Sequence, residues 1–346
     1  IFSQAGDSTL KQNDEVYLWL TSPLGKDSNF FISAEGLYKF SLLSPNAQTS
    51  INNIADIDLL KIHGSFGFDK ASLDVAFGRL FLTDSTGIIF NQLLDGAHCS
   101  FNLGNTVISA FAGYTGLLNN HTTITIDATG VYDSPVSQIY SLAHPYVPFA
   151  LNINLPVLFG NQSVNFEGLG ILDLDNFDLS RYYATLYLAG PISNSVFYNA
   201  STTIGTVNFE NLMNYTNLNI YIRPNDLISV TVGAEYASGK TDKSFGFTTL
   251  TSKTAYNSTL YPEMNGVFMP KASLAFTVYD FYAELVGKSV LDANDNFASK
   301  GLDFSIFMTY NLFSDLQLGF DFTSFIDTKT KTETNTSATI KAALAF

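Results

Sequence analysis

The side chains able to do chemistry are few in this chain, and their spacing points away from catalysis. There are four histidines, His63, His98, His121 and His144. A nucleophile–histidine–acid device needs an imidazole beside an activated hydroxyl or thiol and an orienting carboxylate. No Gly-x-Ser-x-Gly turn accompanies any of the four. Cys99 is the one cysteine, so no intramolecular disulfide or cysteine metal site is available. The run Asp292-Ala293-Asn294-Asp295-Asn296 opens like a calcium loop. Phe297 stands where the turn glycine belongs, and Asp303 where a bidentate Glu is required. The run reads as a solvated turn, and no catalytic residue, metal or cofactor is expected.

The other candidates are charges set into alternating segments. Glu35, Lys39, Lys61, Asp74, Arg181, Arg223, Glu235, Lys271, Glu284, Lys288, Asp303, Asp321 and Lys341 occupy the polar set, with apolar residues between. A period of two puts each set on one face of a strand. Positive and negative members nearly balance, whereas the chain carries a net −14. The excess therefore belongs to connections, such as Asp127, Asp133, Asp173, Asp175, Asp178, Asp292 and Asp295. Balanced charges facing a water-filled space set up a transverse field, and acidic connections at its mouth favour cations. The plainer alternative is that the face charges merely neutralise one another.

About 16 segments carry this pattern: 29–44, 54–68, 72–83, 97–103, 106–116, 147–159, 162–174, 181–190, 195–207, 214–223, 227–238, 268–279, 281–291, 301–312, 315–326 and 336–346. Most reach the roughly 9–11 residues that a tilted membrane-spanning strand needs. In 315–326 Leu316, Leu318, Phe320 and Phe322 oppose Gln317, Gly319, Asp321 and Thr323. The polar sets are mostly Ser, Thr, Asn and Gly with isolated charges, unlike the charge-rich exterior of a soluble sandwich. Only 14% of residues are charged, against roughly 25% in an average globular protein. Mean hydropathy is a moderate +0.14, and no apolar run approaches the roughly 18 residues of a spanning helix. The acidic balance excludes nucleic acid as a partner.

Connections alternate short and long. The long ones are 45–53, 84–96, 117–146, 239–267, 292–300 and 327–335. Residues 1–28 read as a separate N-terminal segment containing a strand-like piece from Glu15 to Thr21, ahead of a barrel over 29–346. An even strand count would put both ends on the short-turn side. Two connections are candidates to narrow the interior. In 117–146, Asp127, Asp133 and His144 would stand near the constriction. In 84–96, the stretch from Gly87 to Asp95 is too apolar for an exposed loop. Arg79 is out of phase with the polar set of its strand, so a bulge or inward turn is expected there, with Arg79, Asp84 and Asp95 as an internal cluster.

From Thr336 the chain alternates to its last residue, Phe346. A terminal Phe after such a strand resembles the last strand of bacterial outer-membrane β-barrels. Together with the alternating connections and two-faced strands, residues 29–346 resemble general porins in architecture. The resemblance implies an all-β, transmembrane antiparallel barrel in the bacterial outer membrane, surrounded by its lipid and exported with a signal since removed. It implies an inward-folded third loop, a homotrimer, and recognition of Phe346 by the barrel-assembly machinery. The expected function is passive diffusion of small hydrophilic solutes through a water-filled lumen, favouring cations. Two alternatives stand beside it. One is a selective uptake channel for sugars or nucleosides, using Tyr183, Tyr187, Tyr221 and Tyr279. The other is a surface adhesin or structural barrel, plugged by 1–28 or 84–96, that binds through its outer loops.

Overall fold

The computed structural model describes residues 9–26, 28–45, 50–115, 125–131, 142–241, 246–251, 265–328 and 334–344. Phe346 and Asp133 lie outside the described residues. Seventeen strands occupy most of the described chain: β1 (Thr9–Pro23), β2 (Phe30–Pro45), β3 (Ser50–Gly67), β4 (Ala71–Thr83), β5 (Asn91–Leu103), β6 (Thr106–Tyr114), β7 (Tyr146–Leu155), β8 (Ser163–Asp173), β9 (Arg181–Ser193), β10 (Val196–Val207), β11 (Asn211–Asn225), β12 (Ile228–Ala237), β13 (Val267–Val278), β14 (Phe281–Asp292), β15 (Ala298–Asn311), β16 (Leu316–Asp327) and β17 (Thr334–Leu344). Each pairs antiparallel with its neighbours in sequence, from β1–β2 to β16–β17.

The alternation decides which face each residue takes. Leu302 and Phe304 of β15, and Leu318 and Ile326 of β16, are exposed on the outward face. Asp303, Ser305 and Thr323, one position out of phase with them, are buried on the inward face. Cys99 is exposed, in phase with the outward Phe77 set through its pairing with Val75. The sheet curls around an interior. Leu94 of β5, Tyr146 of β7, Met269 of β13 and Phe325 of β16 belong to one apolar cluster. In a flat sheet β5 and β16 would stand about 50 Å apart, so only a curved wall brings them together.

Two expectations are corrected. Residues 9–23 are not separate from the barrel: they form β1, in register with β2 from Thr9↔Pro45 to Pro23↔Phe31. Their pattern is obscured because both faces are polar over Gln12, Asn13, Asp14 and Glu15. The extra strand changes the parity. Thr9 starts β1 at the long-loop end, whereas β17 finishes at the short-turn end, so β1 and β17 run in the same direction.

The wall forks at one place. Pairing of β3 with β4 stops at Leu60↔Arg79, although β3 continues back to Ser50 and β4 on to Thr83. Gly78 stands at the fork with φ +123°, a conformation that side chains avoid. A Cβ there would lie 2.2 Å from the Leu60 carbonyl oxygen. Gly78 faces Gly96, and Gly96 faces Gly113, so three glycines form a row across β4, β5 and β6. Beyond this row the β4–β5 hairpin buries Leu80 and Leu94.

Candidate functional site

The interior has two halves, and the strands build both by changing inward residues along their length. On β8 the inward set runs Asn165, Glu167, Leu169, Ile171. On β11 it runs Tyr221, Asn219, Asn217, Tyr215, Met213. On β13 it runs Thr277, Ala275, Ser273, Lys271, Met269, Val267. In each case polar residues lie toward the short turns and apolar ones toward the long loops.

Three loop segments fill the apolar half. In 84–90, Asp84 Oδ1 accepts from the amides of Ile89 at 2.9 Å and Phe90 at 2.8 Å. Its other oxygen accepts from the Thr86 amide at 2.8 Å and from the Thr86 hydroxyl. This knot turns Ile89 and Phe90 inward, 1% and 0% exposed. Burial pushes the Asp84 carboxyl up against the pull of these hydrogen bonds. Glu167 reaches in from β8 and accepts from the Ser85 amide at 3.0 Å and the Ser85 hydroxyl at 3.2 Å.

Segment 246–251 packs on the first. The Leu250 amide donates to the Ile89 carbonyl at 2.8 Å, and the Asn91 amide donates to the Thr251 hydroxyl at 3.1 Å. Phe247 stacks on Tyr215, ring centroids 5.2 Å apart. Segment 125–131 joins through the Ile126 amide, which donates to the Leu250 carbonyl at 2.7 Å. Asp127 caps its own turn, accepting from the amides of Thr129 and Val131, each at 2.9 Å.

Arg181 ties these segments to the wall. It is 0% exposed and donates to the carbonyls of Thr249 and Ile126, each at 2.8 Å. Its guanidinium lies over the Tyr146 ring, 5.5 Å from the centroid. A buried cation is costly unless hydrogen-bonded, and here carbonyl dipoles and an aromatic face receive it. Next to it the Tyr183 hydroxyl donates to the Thr248 carbonyl at 2.9 Å. Arg181 therefore holds loops in place and lines no open water.

The expected internal cluster divides. Arg79, 2% exposed, donates to both Asp95 oxygens at 2.9 and 3.0 Å and to the Ile57 carbonyl at 3.0 Å. Asp56 of β3 completes the group 3.6 Å from the guanidinium. The cluster closes the fork between β3 and β4, while Asp84 turns to its own loop. His144 faces Asp173 at 3.4 Å and packs tilted against the Tyr146 ring, centroids 4.4 Å apart.

The other face charges lie on inward positions and mostly meet partners. Lys271 pairs with Glu235, Lys341 with Asp321, and Lys39 with Glu15 at 2.6 Å. Lys288 stands between Lys271 and Asp303 in register. Asp74 accepts from the Asn102 amide at 3.1 Å. Lys61 shares the face of His63, whose Nε2 lies 3.0 Å from the Ser33 hydroxyl. Among the described residues no carboxylate completes that hydroxyl–imidazole pair, and no cluster of three metal-ligating side chains occurs. Glu35, opposite Trp19, completes the inward set of β2. Arg223 and Glu284 line a recess of about 750 Å³ near the short turns, with Phe197, Tyr221 and Tyr282. Of the other candidate tyrosines, Tyr183 is buried under the loops and Tyr279 is exposed at a turn.

Sequence reasoning missed Glu167, Asp56 and segment 246–251. A signal existed for the first: Leu169 and Ile171 continue its inward set, and apolar residues in the lumen need something to pack against them.

No family profile matches the chain, and no curated protein matches it. Among solved structures it is similar to Pseudomonas aeruginosa OpdK with vanillate, at TM-score 0.65 and 10% identity over 97% of this chain and 96% of that one. It is similar to Pseudomonas aeruginosa OccK5 (OpdH), at TM-score 0.59 and 9% identity over 98% and 96%. Acinetobacter baumannii OccAB4 gives TM-score 0.57 and 10% identity over 96% and 91%. The chain shares the porin-like β-barrel fold of these proteins.

Proposed function

We propose that this chain is a passive channel of a bacterial outer membrane that admits small hydrophilic solutes selectively. Its aperture is set by the loop segments 84–90, 125–131 and 246–251. The observation that carries this reading is the inward wall of paired charges, amides and hydroxyls, which continues toward the short turns from beneath the packed loops. At the long-loop end the inward wall is mostly apolar, and its charges Arg181 and Glu167 are spent on the loops. The outward rows of Leu, Ile and Phe suit the acyl chains of outer-membrane lipid. Among the described residues no cluster of three metal-ligating side chains is assembled. A homotrimer and recognition by the barrel-assembly machinery through Phe346 accompany the proposal. Cation preference follows from the acidic surplus of the connections.

The loops favour selective passage over general diffusion, because three interlocked segments narrow the interior. They also support a second reading, a plugged barrel that acts through its outer surface. Planar-bilayer recording of the purified, folded protein separates the two. Steady ohmic steps with a cation-selective reversal potential support the channel. Silence from protein shown to be inserted supports the plug and overturns the channel.

A further inference from the structure

The recess near the short turns has the build of a solute site. Its floor is small: Ser229, Thr231, Ala275 and Thr277 lie on the inward face of β12 and β13, with Ser229 opposite Ala275. Aromatic rings stand on both sides. Phe197 faces Tyr221 across β10 and β11, and Tyr282 flanks Thr277 on β14. Both phenols are anchored: the Tyr221 oxygen accepts from the Asn199 amide at 2.9 Å, and the Tyr282 hydroxyl donates to Glu284 at 2.8 Å. The rings therefore form fixed walls around a shallow floor.

The charges at this slot are arranged differently from the three paired lysines of the wall. Lys271, Lys341 and Lys39 each meet a carboxylate. Arg223 and Glu284 line the same recess, yet neither makes an ion pair among the described residues. A monovalent anion would be opposed by Glu284, and a monovalent cation by Arg223. A hydroxyl group both donates and accepts, so a polyhydroxylated ring can meet the guanidinium, the carboxylate and the floor hydroxyls together. Its flat, weakly polar faces fit between the aromatic rings. The volume of about 750 Å³ lies in the range of small-molecule sites, roughly 300–1,000 Å³.

We propose that this recess is a binding subsite for a neutral polyhydroxylated ring, of mono- or disaccharide size, at the short-turn mouth. The proposal rests on the channel reading and deepens it by naming a solute class. It is tested by titrating the full-length folded protein in detergent with maltose, read by calorimetry or ligand-observed NMR, so that binding is scored whether or not the barrel conducts. Glycine and benzoate serve as zwitterionic and anionic comparisons. The expected result is saturable maltose binding that exceeds both. Tyr221→Ala with Tyr282→Ala should weaken it about tenfold, the scale of two lost aromatic contacts. Tyr282→Phe, which keeps the wall, should retain most of it. Absence of saturable maltose binding by folded protein overturns the proposal, as does binding indifferent to the double variant. Stronger binding of benzoate or glycine that is lost in Arg223→Gln also overturns it, replacing the sugar with a charged solute. Bilayer silence alongside maltose binding would instead sink the channel reading and leave the subsite standing.

Discussion

The same strands line a dry half and a wet half of this barrel. Toward the long loops their inward residues are Leu169, Ile171, Tyr183, Met213, Tyr215 and Met269, all buried. Toward the short turns the inward positions of the same strands carry Asn165, Tyr187, Asn219, Ser273 and Thr277. The polar groups are treated differently as well. In the dry half Arg181 and Glu167 bind loop carbonyls, amides and hydroxyls, so they hold polypeptide. Lys341 pairs with Asp321 on the neighbouring strand, Lys271 pairs with Glu235 at the border of the two halves, and in the wet half Arg223 and Glu284 line a recess. An inward charge therefore serves either as a clamp on folded loops or as one member of a cross-strand ion pair.

Removing the clamps tests this contrast most severely. Arg181→Ala should leave the carbonyls of Ile126 and Thr249 without their donors, at about 1–3 kcal/mol for each group left unsatisfied. The expected outcome is release of the loop segments, read as faster limited proteolysis within them and larger, noisier single-channel currents. Unchanged proteolysis would show that apolar packing alone seats the loops. Glu167→Ala should act in the same direction but less strongly, about 1–3 kcal/mol in all: the Ser85 amide and hydroxyl and the Asn152 side-chain amide lose their acceptor, while the Arg181 contacts to Ile126 and Thr249 stay in place. Thermal melting in detergent, with the loops monitored by hydrogen exchange, would measure that difference. In the wet half, Lys341→Gln should change stability by less than about 1 kcal/mol, since its pair with Asp321 is solvent-exposed. Its effect should appear in the reversal potential, shifted further toward cations. A destabilisation as large as that of Arg181→Ala would erase the distinction between the halves.

Much of the wall was legible in the chain. Sixteen strands, β2 to β17, lie close to the alternating segments, because a period of two records which side faces water. β1 was read only as a short piece, since Gln12 to Glu15 is polar on both faces. The inward tuck of 84–90 was legible from Ile88, Ile89 and Phe90, too apolar for an outer loop. Segment 246–251 was not, because Phe247 and Leu250 stand among glycine and threonines with no period. Arg181 was placed on the correct face, but its role was invisible: its partners are backbone carbonyls, which every residue has. Arg79 was identified by its phase error, and the structure supplies the cause in the fork at Gly78.

The glycine row has a consequence for sequence drift. A methyl group on Gly96 would sit 2.2 Å from the Ala112 carbonyl oxygen, and one on Gly113 would sit 2.6 Å from the Asp95 carbonyl oxygen. Each obstruction is neighbouring backbone, which no change of side chain can remove. A side chain at 78, 96 or 113 therefore meets an obstruction that only a shift of the main chain can relieve. The crease is thus fixed by three backbones in contact, whereas the lining of the recess is made of side chains.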